Sequence, residues 1–331
     1  MKKKLNYRRR KRRGVYIHPI CKLLVVLLTV AGIFAWTRHS RDYREGQQVG
    51  GTVANPVQST PSQGTLPPKM TTSTGVDCTL VRLGTDAIYT GNLILVNNWT
   101  AFHFPDNQTE MLSCILDNRT DSYFVRDSTV LLLPEALRAL NDMMDDFKAQ
   151  GSRKSVQIVA GHRTVDYQQH LFDQSAKRNG MEHAKKYVAQ PGCSEHHTGL
   201  VVDMGTMDGE FMESSGDYTW ITENCQNYGW VVRYETGKEE LTGIWDEPWH
   251  FRYVGVPHAT EMVRLGYCLE EYIEYLKKFP LDGEHLMIDC VSGKYEVWYA
   301  QGDETYLPDD KLYTVSGNNV DGVIVTCQID D

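Results

Sequence analysis

An uncharged apolar segment near the start of the chain constrains its topology more than any other feature. Residues 17–36 read IHPICKLLVVLLTVAGIFAW, and no charged side chain occurs in 23–36. A helix of about 20 residues spans a hydrocarbon layer of roughly 30 Å. Nine of the first 13 residues are Lys or Arg, so the positive-inside rule places 1–16 in the cytoplasm. The sequence therefore predicts a single-pass membrane anchor with the rest of the protein on the extracellular face.

A cleaved signal peptide is the alternative interpretation of this segment, because it shares the basic start and the apolar centre. No A-x-A-like cleavage site follows the apolar run, where the chain continues FAWTRHSRDY, so the uncleaved anchor is favoured. Residues 37–75 are then predicted to form a disordered linker. Their second half is rich in Gly, Pro, Ser, Thr and Gln, and such a segment buries too little apolar surface to offset its ordering entropy.

Charge excludes one class of function for the remainder of the chain. The formal net charge is −9 although the first 13 residues are strongly basic, so the rest is markedly acidic. A nucleic-acid-binding domain carries its basic residues on a face of the folded body. We therefore expect no nucleic-acid partner.

Residues 76–280 show the mixed periodicities of an α+β domain. Apolar residues recur on one helical face after Pro134, a strand is predicted over 156–160, and a second helix should begin at the Thr164 cap. Strands and helices alternate without a regular βαβ repeat, which favours an antiparallel sheet with flanking helices. Further strands are predicted at Leu93–Val96, Trp99–Phe104, Leu200–Val202, Trp230–Tyr234 and Trp249–Val254.

Residues 281–331 differ in their residue pattern and predict a small β-rich extension. Four short strands, near 287–290, 295–299, 312–315 and 322–327, are separated by turn-forming residues. The extension is either a separate module or a sheet packed on the main domain. An extracellular location permits disulfides, and Cys290 with Cys327 is the first expected pair because these residues bracket the extension.

Two segments concentrate side chains that bind metals and transfer protons. They read SEHHTGLVVD from Ser194 and DEPWHFRY from Asp246. A hydrolytic zinc site uses three His, Asp or Glu ligands and one open position, and His196, Asp203 and His250 could supply these ligands. Glu247 lies three residues from a ligand and is suited to accept a proton. His197 is an alternative to His196, and Cys193 could also ligate.

These motifs resemble a known family. S-E-H-x-T-G-L-x-V-D followed by E-P-W-H-F-R-Y is similar to the pattern S-x-H-x-x-G-x-A-x-D and E-x-W-H of the VanY-type zinc D-alanyl-D-alanine carboxypeptidases (peptidase family M15B). The resemblance covers about residues 88–257 and includes an upstream G-H-R-T-V-D-Y-Q stretch. It implies the fold of the Hedgehog and D-Ala-D-Ala peptidases. Val201 stands where the pattern has Ala, and His197 where Gln is frequent.

The resemblance also implies roles for individual residues. His196, Asp203 and His250 would bind one Zn²⁺ per domain, and Glu247 would be the general base. Arg163 would hold the free carboxylate of the peptide, and Ser194 would be a polar neighbour of the substrate.

The function implied is a metallocarboxypeptidase that removes the C-terminal D-Ala from peptidoglycan stem peptides. Three alternatives remain open at this point: L,D-carboxypeptidase action, endopeptidase action on the same peptides, and a non-catalytic wall-peptide-binding module.

Overall fold

The computed structural model describes residues 67–330. The predicted basic head, the predicted anchor at 17–36 and most of the predicted linker lie outside these residues. Within 67–330, no helix is both long enough and apolar enough to cross a membrane. The linker prediction extended too far, because Lys69–Thr71 forms a strand that pairs with Asp77–Arg82.

Strands and helices are intermixed along the described chain. The strands are β1 Lys69–Thr71, β2 Asp77–Arg82, β3 Ser113–Cys114, β4 Phe124–Val125, β5 Leu131–Leu132, β6 Gln157–Ala160, β7 Val201–Gly205, β8 Trp230–Tyr234, β9 Glu247–Tyr253, β10 Leu286–Cys290, β11 Gly293–Gln301, β12 Glu304–Pro308, β13 Tyr313–Gly317 and β14 Gly322–Gln328. The α-helices are α1 Gln108–Met111, α2 Ile115–Asn118, α3 Pro134–Ala149, α4 Val165–Asn179, α5 Met181–Tyr187, α6 Thr219–Asn224, α7 Glu239–Thr242, α8 Val256–Leu265 and α9 Leu269–Leu276.

A five-stranded sheet of order β4-β6-β7-β9-β8 forms the centre of the fold. All its pairings are antiparallel except β4 with β6. The prediction of an α+β fold built on an antiparallel sheet is therefore confirmed. Helix α3 covers this sheet with an apolar face that includes Leu140, Met143 and Phe147. Each such side chain contributes about 1.5–3 kcal/mol on burial.

Two predicted strands are wrong. Leu93–Val96 is buried but has no ladder partner, and 99–104 is a loop whose only ladder contact is an isolated bridge between Asn97 and Thr100. The Asn97 side-chain oxygen accepts hydrogen bonds from the backbone N–H groups of Trp99 and Thr100. This local turn competes with strand pairing, so apolar composition alone was misleading here.

The C-terminal residues form a second sheet of order β10-β11-β14-β13. It shares an apolar core with α8 and α9, in which Leu269 and Leu276 accompany Leu286, Val297 and Ile324. The described residues, 67–330, all belong to one compact unit. The sequence analysis missed β12, which leaves this sheet and pairs with β2 over the register Glu304–Arg82 to Pro308–Cys78.

The predicted Cys290–Cys327 disulfide is wrong. Cys290 ends β10 and Cys327 lies in β14, and β11 separates these two strands. Strands β10 and β14 are therefore two strand spacings apart, about 10 Å. This distance exceeds the roughly 7 Å between Cα atoms that a disulfide can bridge. All seven cysteines in the described part of the chain carry free thiols.

A buried charge pair joins the N-terminal hairpin to the C-terminal sheet. Glu296 of β11 accepts a hydrogen bond from Nδ1 of His285 at 2.8 Å and from the hydroxyl of Thr72 at 2.8 Å. The other ring nitrogen of His285 faces the carbonyl oxygen of Leu281 at 3.1 Å. Two acceptors on one imidazole favour its doubly protonated form.

We expect Glu296→Gln to destabilise the protein by about 3 kcal/mol, because it leaves a buried imidazolium without its counter-charge. Although burial alone opposes charge on both groups, their mutual hydrogen bond raises the pKa of His285 and lowers the pKa of Glu296. The pair therefore stabilises the fold above the unfolded Glu pKa of about 4.3 and loses strength as pH rises through the folded His285 pKa. Urea unfolding at pH 5.5 should show the full difference from the wild type, and at pH 9 a smaller one. An equal difference at both pH values would contradict a charge-based role.

Candidate active site

His196 is held by a tight capped turn. It lies in a 3₁₀ helix, Glu195–Thr198, whose preceding residue Ser194 accepts a hydrogen bond from the His196 N–H through its hydroxyl oxygen at 3.3 Å. Gly199 ends the turn with φ 72°, a left-handed conformation that suits glycine. Chain direction reverses there into β7, and the His196 imidazole is directed at that strand.

Strand pairing brings Asp203 and His250 together. In the antiparallel ladder of β7 and β9, Asp203 is directly opposite His250. Directly opposed side chains project from the same face of a sheet, with Cβ atoms about 4.5–5.5 Å apart. Nδ1 of His250 lies 2.9 Å from Oδ1 of Asp203, and Nε2 of His196 lies 3.3 Å from Oδ2.

The three side chains form a donor set that fits a divalent metal ion. One ligand atom from each of His196, Asp203 and His250 lies within 4.8 Å of the others, and all three residues are buried. Nδ1 of His196 donates to the carbonyl oxygen of Gly161 at 2.6 Å, which leaves the lone pair of Nε2 directed at the donor set. Two imidazoles and one carboxylate match the ligand preference of zinc in catalytic sites.

Burial and neighbouring charges set the protonation of the three donors. Burial tends to raise the pKa of Asp203, but His196 and Arg163 outweigh it and hold the pKa well below its usual range. Burial, helped by the Arg163 cation, lowers the pKa of His196 to about 4, so its imidazole is neutral at pH 7. Burial opposes charge on His250 too, yet Asp203 and Glu195 raise its pKa to about 9. A metal ion would replace a proton there.

Glu247 stands beside the donor set without belonging to it. Strand β9 begins at this residue, two positions earlier than predicted, and Oε2 of Glu247 lies 3.7 Å from Nδ1 of His250. Burial raises the pKa of Glu247 to about 7, although His250 and Arg163 oppose the shift. A carboxylate of this basicity next to a metal position is suited to accept and return a proton near neutral pH.

Arg163 contacts the donor set directly. Its Nη2 donates to Oδ2 of Asp203 at 2.7 Å, and Nη1 lies 3.5 Å from Oε1 of Gln168. The Arg163 N–H also donates to the carbonyl oxygen of His196 at 3.1 Å, so backbone and side chain are both tied to the site. A guanidinium has five N–H donors, which leaves further donors for a substrate.

Neither rival ligand joins this group. The ring nitrogens of His197 face the carbonyl oxygen of Arg163 at 2.8 Å and the N–H of Gly192 at 3.1 Å. Both nitrogens are thus occupied by the backbone. Cys193 is likewise outside the donor set found among residues 67–330.

One cleft of about 390 Å³ contains the six residues to which the family resemblance assigned roles. Arg163, Ser194, His196, Asp203, Glu247 and His250 all line it. Helix α4 contributes Leu171, Gln174 and Arg178 to the wall of the cleft. Trp249 and Phe211 also line the cleft and stack on each other, with ring centroids 4.6 Å apart. An elongated ligand can thus extend away from the metal position along α4.

Sequence analysis missed a buried ionic cluster behind the donor set. Glu195 contacts Arg233 and Arg252, and Arg233 also pairs with Glu270. The available signal was the position of Glu195 beside His196 and of Arg252 two residues after His250, on the same strand face. Tyr234, which lines the cleft with its ring centroid 4.9 Å from that of His250, was also missed.

Comparison with known proteins agrees with this geometry. The family model of VanY, described as D-alanyl-D-alanine carboxypeptidase, matches residues 129–256. A D-alanyl-D-alanine carboxypeptidase of Enterococcus faecium is 35% identical over 250 residues, which cover 73% of this chain and 76% of the relative. The chain belongs to the VanY family of D-alanyl-D-alanine carboxypeptidases.

Two further matches support the same family. The bifunctional D-Ala-D-Ala dipeptidase and D-Ala-D-Ala carboxypeptidase VanXYC of Enterococcus gallinarum is 39% identical over 158 residues, covering 45% of this chain and 81% of the relative. The solved structure of the vancomycin resistance D,D-dipeptidase VanXYg, in complex with a D-Ala-D-Ala phosphinate analog, superposes with a TM-score of 0.68 at 32% identity. That match covers 76% of this chain and 98% of the other.

Single substitutions of His196 and His197 should show which of these adjacent histidines binds the metal. We expect His196→Asn to weaken zinc binding by more than the roughly 100-fold that loss of an outer partner costs, because a direct ligand is removed. His197→Asn should retain one zinc per chain and lose only stability. Metal content after gel filtration, measured by atomic emission, checks both variants. Loss of zinc from His197→Asn with retention in His196→Asn would reverse the assignment.

Proposed function

We propose that this protein is a zinc-dependent D,D-carboxypeptidase that removes the terminal D-alanine from peptidoglycan stem peptides. The observation that carries the proposal is the position of Glu247. Its carboxylate lines the same cleft as His196, Asp203 and His250 and lies 3.7 Å from Nδ1 of His250, but it is not a member of the donor set. Membership of the VanY family supports the substrate class. When bound, zinc would polarise the scissile carbonyl and lower the pKa of a water molecule to about 7.

The residues of the chain then have distinct tasks. His196, Asp203 and His250 would hold a single zinc ion. The Glu247 carboxylate would accept a proton from the attacking water and pass it to the nitrogen of the departing D-alanine. Ser194 lies at the start of the His196 turn and would contact the substrate as a polar neighbour.

Arg163 is the candidate for recognition of the peptide terminus. It is a cation in the lining of the cleft next to the metal donors, and its bond to Asp203 leaves other N–H donors available. A planar guanidinium binds a carboxylate in a bidentate manner that lysine cannot reproduce. Binding of the free carboxylate would restrict the enzyme to the last peptide bond and so make it a carboxypeptidase.

We expect Glu247→Gln to lower kcat for D-Ala release by about 10²–10⁴-fold, because the proton acceptor is lost. Zinc content should stay at the wild-type value, since Glu247 is not a ligand. Product formation from a muramyl pentapeptide, followed by mass spectrometry with the full-length chain and zinc, is the measurement. Chelation should abolish the wild-type reaction, and added zinc should restore it. Wild-type turnover by the zinc-loaded Glu247→Gln variant would refute the proposal.

The same assay distinguishes the alternative reactions. A tetrapeptide reports L,D-carboxypeptidase action, and a cross-linked dimer reports endopeptidase action. A pentapeptide with a C-terminal amide lacks the carboxylate that Arg163 would bind, so we expect it to be cleaved much more slowly than the free acid. Binding of every peptide with no product over a long incubation would indicate a non-catalytic module.

We also propose that the enzyme is anchored in the cell membrane with its catalytic part on the extracellular face. The support is the basic head followed by the apolar segment at 17–36.

Cell fractionation tests the proposed location. The full-length protein should sediment with membranes and be digested by protease added to cells from which the wall has been removed. A variant that lacks residues 1–36 should stay inside the cell in the soluble fraction. A protease-resistant full-length protein would contradict the proposed orientation, and a mature N-terminus after residue 36 would indicate a cleaved signal peptide.

A further inference from the structure

The buried carboxylate of Glu195 lies behind the metal donors. Only one of its two oxygens accepts hydrogen bonds within the described residues. Oε1 of Glu195 accepts hydrogen bonds from Nε of Arg233 at 2.8 Å and from Nη1 of Arg252 at 2.7 Å. The side chains of these three residues are 0% exposed. Structural pairing of Glu195 therefore accounts for Oε1 alone.

The unused oxygen faces an equally unused nitrogen. Oε2 of Glu195 lies 3.6 Å from Nε2 of His250, slightly longer than a hydrogen bond. Within the described part of the chain, both atoms are buried and neither has a hydrogen-bond partner. Buried polar atoms without partners are costly, and a small side-chain rotation would satisfy both at once.

The two histidine ligands present opposite nitrogens to the metal position. His196 donates Nδ1–H to the Gly161 carbonyl and turns Nε2 toward Asp203. His250 turns Nδ1 toward Asp203 and Nε2 toward Glu195. A neutral imidazole has a single N–H, so Nδ1 of His250 can ligate only if the proton is on Nε2.

We propose that Glu195 is a positioning residue that accepts the Nε2–H of His250 and thereby holds Nδ1 toward the metal. Without this acceptor, the imidazole would place its proton on Nδ1 and donate it to Asp203, and two ligands would then bond to each other in place of the metal. The inference rests on the proposed metal function. It assigns to Glu195 a task separate from the ion pairs made by its other oxygen.

The cluster also provides a matched control. Oε1 and Oε2 of Glu270 contact Nη2 and Nη1 of Arg233 at 2.7 and 3.0 Å, and no contact joins Glu270 to His250. Glu195→Gln and Glu270→Gln each remove one carboxylate from the same ionic cluster. Both should destabilise the fold, but only the first alters the acceptor that faces His250.

Zinc affinity, measured by competition with a chromogenic chelator, separates positioning from a structural role. We expect Glu195→Gln to weaken zinc binding by about 10–100-fold and to change the visible spectrum of the cobalt-substituted protein. Glu270→Gln should bind zinc within about twofold of the wild type and leave the cobalt spectrum unchanged, even if its Tm falls. Equal zinc affinity in the wild type and Glu195→Gln would overturn the inference, as would an equal loss in both variants.

A second measurement does not depend on whether a variant of the ionic cluster folds. In zinc-loaded wild-type protein with ¹⁵N-labelled histidine, NMR should show His250 protonated on Nε2 and deprotonated on Nδ1, with the signal assigned by its absence in His250→Gln. A proton on Nδ1 would overturn the inference. Failure of the proposed function would give a different result: the wild type itself would bind no zinc, or it would release no D-alanine with zinc bound.

Discussion

The antiparallel pairing of β7 with β9 is the interaction on which the site depends. It places Asp203 directly opposite His250, although the two residues are 47 positions apart in the chain. A shift of the register by one residue would move one of the two side chains to the opposite face of the sheet. The apolar neighbours Val202 and Phe251 pair with each other and are fully buried in the main core, and a shift by one residue would move one of them to the face that carries the polar donors.

Around this pair the protein holds charge in a largely apolar interior. Asp203 is compensated by Arg163 on the cleft side, and Glu195 by Arg233 and Arg252 on the core side. Asp203 and Glu195 are thus both paired with guanidinium groups, which limits the desolvation cost of an isolated charge. The three candidate metal donors are thus supported from both sides, as expected for ligands held by outer hydrogen-bond partners.

Local signals in the sequence predicted the parts of the fold that depend on neighbouring residues. The caps and periodicity of α3 and α4 and the strand at 230–234 correspond to the observed elements. The candidate site residues were predicted because two short motifs carry side chains of suitable chemistry, and the structure brings these residues together in one cleft. Non-local features were not accessible: β12 is specified by a partner more than 200 positions away, and Leu93–Val96 is buried without a ladder. The ionic cluster was missed because its four members, Glu195, Arg233, Arg252 and Glu270, lie on four separate segments of the chain.

The pairing of β2 with β12 has a consequence for how the chain is made. The hairpin of β1 and β2 cannot complete its sheet until residues 304–308 have been synthesised, so more than 200 residues must follow β2 before this contact can form. Contacts of such long sequence separation slow folding, and the exposed edge of β2 is open to wrong partners until then. Completion of the fold therefore waits for the synthesis of β12, and a product that stops short of β12 would leave an open strand for quality-control proteases to recognise.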